Sequence, residues 1–211
     1  MNIKQSAALA FLGLLALASC TRAPKGFTKD ELALIHGADS IMHVLTIEDP
    51  AECLVLRTPS SDLPAEALQS ADYEELARLM TATVTHPSQD GVGIAGPQVG
   101  LNRRVVAVQR FDKDPVWNGR TTDHPFEVYP NIRIVWAADS LAAGPEGCLS
   151  VPDRRGDVLR STEIIIEYAD LSSACTSRDI PMVRDTVTGF TAVIFQHEID
   201  HLDGILYIDR L

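Results

Sequence analysis

The sequence predicts an α+β domain, and three observations carry that expectation. Apolar residues occupy 45% of its 211 positions, enough for one sizeable core. Short stretches rich in β-branched and aromatic residues lie between two segments with helical spacing. Those stretches follow one another without the regular strand–helix alternation that a parallel sheet requires.

In chain order, "MNIKQSAALAFLGLLALASC" comes first, with a short polar start, one lysine and an apolar run from about Ala7 to Ala18. The run is too short to cross a bilayer comfortably and reads as the core of a signal peptide. It closes on Leu17-Ala18-Ser19-Cys20, which resembles the lipobox of bacterial lipoproteins. That resemblance implies removal of residues 1–19, a lipid on Cys20, and a protein anchored in the cell envelope outside the cytoplasm. Losing Lys4 takes the net charge from −11 to −12. If the signal is not used, the protein stays cytoplasmic.

Residues 20–45 read as a tether and lead-in, in which "TKDE" (Thr28 to Glu31) forms a capping box opening a short helix. Residues 46–211 read as the catalytic domain. A stronger helix covers about Tyr73 to Val84, where Leu76, Leu79, Met80 and Val84 share one face. Strands are expected at Val105–Gln109, Ile132–Trp136 and Glu163–Tyr168. The last helix runs from about Phe190 to Leu202, between Gly189 and Gly204. A net charge of −11 argues against nucleic acid as a partner, because phosphates select basic patches.

The last helix carries the chemistry. His197 and His201 are one turn apart with Glu198 beside the first, the HExxH spacing that sets two imidazoles on one face. A catalytic metal site usually needs a third protein ligand. The downstream HExxHxxGxxH arrangement fails, because Gly204 is present but Tyr207 stands where the histidine belongs. No later helix is available to lend a glutamate. Upstream, Cys148 in "PEGCLSVP" follows a flexible "AAG" approach and precedes a proline-bearing turn. A thiolate suits a borderline-soft divalent cation, and Cys148, His197 and His201 would make a His₂Cys set. On its own, a lone cysteine is more often a small buried hydrophobe. "GVGIAGPQVG" (Gly91 to Gly100) holds four glycines, which points to close backbone approach and not to a phosphate loop.

"GVGIAGPQVG", "EGCLS" and "QHEIDHLDG", in that order, resemble the three motifs of the peptide deformylases, over about Asp49 to Leu211. The resemblance implies mixed and antiparallel strands around a central helix carrying HExxH. It implies hydrolysis of the formyl group from N-formylmethionyl peptides, by water activated on a cation held by Cys148, His197 and His201. Glu198 would be the general base and then the acid. The Gln98 side-chain amide and the Leu149 N–H would stabilise the oxyanion. Val92 and Gly93 on one side and Gly147 on the other would pair with the substrate backbone. Val193 is a candidate for the methionine pocket, with core packing as its other reading. Glu146 and Asp200 are candidates for organising the ligands, with Arg160 as their charge partner.

The cation expected is iron(II) or zinc, with nickel and cobalt as alternatives, and a monomer is expected. Departures from the family pattern are Ala95-Gly96 in place of paired alanines, Tyr129 where an Asn-Pro pair is usual, and Val193 beside the place of a common larger aliphatic. The chain also ends at Leu211, without the C-terminal helix of many bacterial members. Two other functions compete: a catalytically idle peptide-binding lipoprotein, and a general HExxH metallopeptidase. Once Cys20 and Cys148 are assigned, Cys53 and Cys175 are left as a pair that an oxidising compartment would allow to form a disulfide.

Overall fold

A computed structural model describes residues 26–89, 91–113, 124–172 and 180–211. The signal segment, Cys20 and Cys175 lie outside the described residues, and with them the lipidation and disulfide expectations.

Four helices come first: α1 (Lys29–His36), α2 (Pro50–Leu56), α3 (Ala65–Leu68) and α4 (Ala71–Val84). The expected capping box opens α1. Glu31 N–H donates to the Thr28 hydroxyl at 3.3 Å, and the Glu31 carboxylate accepts from Thr28 N–H at 2.7 Å. Asp49 caps α2 and Pro50 begins it, the favoured arrangement for a proline at a helix start. α4 contains the predicted Tyr73–Val84 segment, and Leu76, Leu79, Met80 and Val84 are fully buried.

The strands are β1 (Gly93–Ala95), β2 (Val105–Gln109), β3 (Phe126–Pro130), β4 (Arg133–Ala137), β5 (Leu141–Cys148), β6 (Val151–Ser161), β7 (Glu163–Ala169) and β8 (Met182–Thr188). They pair antiparallel as β1-β2-β3, β4-β7-β8 and the hairpin β5-β6. The predicted strand at Val105–Gln109 is β2, that at Ile132–Trp136 appears one residue later as β4, and that at Glu163–Tyr168 runs one residue further as β7. The hairpin corrects two sequence readings. The "AAG" approach is part of β5, and Pro152 lies inside β6 beyond a two-residue turn at Leu149-Ser150.

Helix α5 (Gly189–Leu202) packs against β1, β2, β4, β6, β7 and β8. Ala192, Phe195 and Leu202 are fully buried in a cluster with Val106, Val108, Tyr129 and Ile166. A helix enclosed this way is apolar on several faces, so its few polar residues are there at a cost. α5 ends at Leu202, and Gly204 follows with a φ of +75°, where an added Cβ would stand only 2.5 Å from the Arg57 carbonyl oxygen.

Behind α5 lies the Tyr129 departure. Tyr129 pairs with Val106 in register, and its ring meets Phe195 edge-on at 5.0 Å. Its hydroxyl accepts from the buried Arg110 guanidinium and donates to Glu127. Arg110 also bonds Asp112 at 2.7 Å and Asp185 at 3.0 Å, and its charge lies 5.5 Å from the Phe195 ring centre.

The reading of residues 20–45 as a tether needs correction for its described part. Ile35 and Met42 belong to the core cluster of Leu76, Leu79 and Met80. Arg103 fixes α1 from the body through Glu31, at 2.6 Å and 3.2 Å. Burial alone would raise the Glu31 carboxyl, but the hydrogen bonds from Arg103 and Thr28, with the Arg103 charge, together outweigh it and hold it below its ordinary value.

A carboxyl held low in the fold contributes stability above its unfolded pKa and loses it as pH falls through the folded one. Glu31→Gln should therefore cost about 1–3 kcal/mol at pH 7, as an unfolding free energy from denaturant titration. The deficit relative to wild type should shrink toward zero as pH drops below about 4.

Candidate functional site

The two histidines and the glutamate come from α5, and the cysteine comes from the end of β5. The helix repeat puts the His197 and His201 rings 5.1 Å apart, centre to centre. The hairpin turn delivers Cys148 Sγ to 3.2 Å from His201 Nε2. One donor atom from each of Cys148, His197 and His201 lies within 4.8 Å of the others. One sulfur and two imidazole nitrogens at this spacing fit a divalent cation with a position left open.

A charged lattice orients this set. His197 Nδ1 meets Glu146 Oε2 at 2.7 Å. Arg160 donates to both Glu146 oxygens, at 2.7 and 3.0 Å, and to Asp200 at 2.5 Å. The Arg160 pairing with Glu146 and Asp200 is therefore present. Arg210 closes the lattice on Asp200 with two contacts of 2.5 Å. Burial would raise the Glu146 carboxyl, but Arg160 and His197 bring it down to about 2. Glu146 is therefore an anion throughout the working range, and it fixes which His197 nitrogen faces Cys148.

The two imidazoles differ. Burial would lower His197, yet Cys148 and Glu146 on its two sides push it up. His201 is wholly buried, its Nδ1 has no hydrogen-bond partner among the described residues, and burial drives it well below the ordinary histidine range. Tyr207, the residue standing where a downstream third histidine would be, stacks on His197 at 5.9 Å.

Glu198 is buried, and its Oε2 finds no hydrogen-bond partner among the described residues. Burial lifts its carboxyl to about 7, a value suited to taking and returning a proton near neutrality. Gly93 leaves room for it, since a Cβ there would stand 2.5 Å from Glu198 Oε1. Gln98 is buried beside Cys148, with Nε2 at 3.6 Å from Sγ. Leu149 takes the first turn position of the β5–β6 hairpin, where its N–H lies outside the ladder.

A cleft of about 730 Å³ runs past this cluster, lined by Val92, Gly93, Gln98, Gly147, Cys148, Leu149, Val193 and His197. All four expected substrate contacts, Val92, Gly93, Gly147 and Val193, are on its wall. Val92 and Gly93 enter β1, the edge strand of its sheet, so one backbone edge is open for pairing. Three contributors escaped the sequence reading. Phe190 on the cleft wall carries no pattern beyond its helix position. Arg210 was legible only as a charge near the chain end. Ser150 stood inside a quoted motif, with no feature to show that its hydroxyl meets Gln98.

A family model described as polypeptide deformylase matches residues 41–211. A peptide deformylase of Leptospira biflexa is 34% identical over 172 residues, covering 82% of this chain and 88% of that protein. The structure of an Acinetobacter baumannii class I type b peptide deformylase with actinonin bound has a TM-score of 0.65 and 31% identity, covering 82% of this chain and 99% of that one. The same enzyme with Met-Ala-Ser bound has a TM-score of 0.65 and 32% identity, covering 81% and 98%.

Purified chain should carry about one divalent cation per molecule by elemental analysis. Cys148→Ser should lose it, and Glu146→Gln should weaken its affinity about 10–100-fold in a chelator competition.

Proposed function

This chain belongs to the polypeptide deformylase family, and on that premise we propose how its residues remove the formyl group from N-formylmethionyl peptides. The observation that carries the reading is the convergence of Cys148, His197 and His201 beside the buried Glu198 carboxyl, with Cys148 and His197 on the wall of one cleft.

The substrate lies extended along β1, and backbone groups at Val92, Gly93 and Gly147 hold it without reading its sequence. Its methionine side chain enters the apolar wall at Val193. The Gln98 amide and the Leu149 N–H receive the formyl oxygen as negative charge grows there. When bound by Cys148, His197 and His201, a divalent cation supplies Lewis acidity that polarises the carbonyl and acidifies water. Water adds to the formyl carbon, and Glu198 accepts the proton released. Glu198 then returns it to the departing nitrogen as the C–N bond breaks, and formate and a free amine leave.

Iron(II) and zinc both suit one thiolate and two imidazoles, and nickel or cobalt can substitute. The lipobox-like Leu17-Ala18-Ser19-Cys20 supports an envelope location, where the substrates are released or exported formyl-peptides. Outside the cytoplasm zinc has the advantage, since it has no redox chemistry.

Formate release from formyl-Met-Ala tests the activity. Wild type should release formate and leave unblocked Met-Ala intact, while Glu198→Ala should lose about 10²–10⁴-fold in kcat and keep its metal. Cleavage of Met-Ala, or an undiminished Glu198→Ala, would refute the assignment. Cell fractionation tests the anchor: the wild type should partition with membranes, and Cys20→Ala should lose the lipid and enter the soluble fraction.

A further inference from the structure

As an oxyanion donor, Gln98 must turn its amide nitrogen, not its oxygen, to the cleft. Two contacts decide that. Gln98 Oε1 accepts from Ala95 N–H at 2.8 Å, so the NH₂ group must turn the other way. There, Nε2 donates to the Ser150 hydroxyl at 3.2 Å. With one amide proton directed at Ser150, the amide plane is fixed and the other proton is left toward Cys148 and the cleft.

Ser150 is itself an immobile platform. It is fully buried, so no solvent competes for its hydroxyl. Its carbonyl accepts from Ile47 N–H at 3.0 Å, and the Gln98 carbonyl accepts from Leu45 N–H at 2.8 Å. One short segment of the lead-in thus ties both backbones together. Glu52 pins that segment in turn, accepting from Thr46 N–H at 2.7 Å.

We propose that Ser150 is a positioning residue, whose hydroxyl holds the Gln98 amide as an oxyanion donor on a platform clasped by Leu45 and Ile47. The inference rests on the oxyanion role given to Gln98. It adds that this role depends on a hydroxyl that never touches the substrate.

Steady-state kinetics of the metal-loaded full chain on formyl-Met-Ala test it. Ser150→Ala should lower kcat about tenfold, part of the loss typical of a removed oxyanion donor, with KM and bound metal unchanged. Ser150→Gly, a second way to delete the hydroxyl, should give the same loss within about threefold. Gln98→Ala should fall about 10²-fold or more, and adding Ser150→Ala to it should cost nothing further. A further fall of about tenfold in the Gln98→Ala background would show that Ser150 acts independently of Gln98, and would overturn the proposal. An unchanged kcat in Ser150→Ala, or an effect that differs between the alanine and glycine variants, would overturn it too. If Gln98→Ala itself retains full activity, the oxyanion reading fails first, and that failure is seen in the single variant.

Discussion

The site depends on one guanidinium. Arg160 on β6 bonds Glu146 across the hairpin and Asp200 on α5, and so holds the strand that carries Cys148 against the helix that carries both histidines. Burying three ionised groups is unfavourable unless each is paired and hydrogen-bonded, and here Glu146, Arg160 and Asp200 alternate in charge and end on the exposed Arg210. Removing one member of such a set leaves an uncompensated buried charge, commonly at about 3–5 kcal/mol. The same lattice ends on His197 Nδ1, so the interaction that assembles the donors also orients one of them. His201 has no such support and relies on its position one helical turn away.

What the sequence revealed follows from what is local. The i, i+4 spacing of His197 and His201 is a property of one helix, and it needed no knowledge of the fold. Cys148 lies about fifty residues upstream and reaches 3.2 Å from His201 only through the register of a hairpin, which no local pattern announced. Its place as a third ligand came from family resemblance. The strands β1, β3, β5, β6 and β8 went unnoticed because they are short, glycine-bearing or strongly charged. The misreading of the lead-in has a similar cause. Ile35 and Met42 are two apolar residues in a polar stretch, and only tertiary packing turns them into core.

α5 is supported from both sides by charge. On the cleft side stands the Glu146–Arg160–Asp200 lattice, and on the other Arg110 lies among Asp112, Asp185 and the Tyr129 hydroxyl. Tyr129, out of pattern for the family, is thus part of a second buried network and not a defect near the site. Its aromatic contact with Phe195, two residues before His197, constrains the helix from the rear.

A helix held so firmly can keep a carboxyl in an unfavourable place. Glu198 Oε2 has no hydrogen bond among the described residues, and burial lifts the carboxyl pKa to about 7. A mobile side chain would relieve that penalty by turning toward water. Glu198 stays because Gly93, with no Cβ, lets β1 pass close against its other oxygen. The same glycine sits in β1, the edge strand of its sheet, so the free backbone edge and the enclosed carboxyl lie against one residue. Any side chain at that position would have to displace Glu198 or Ile194.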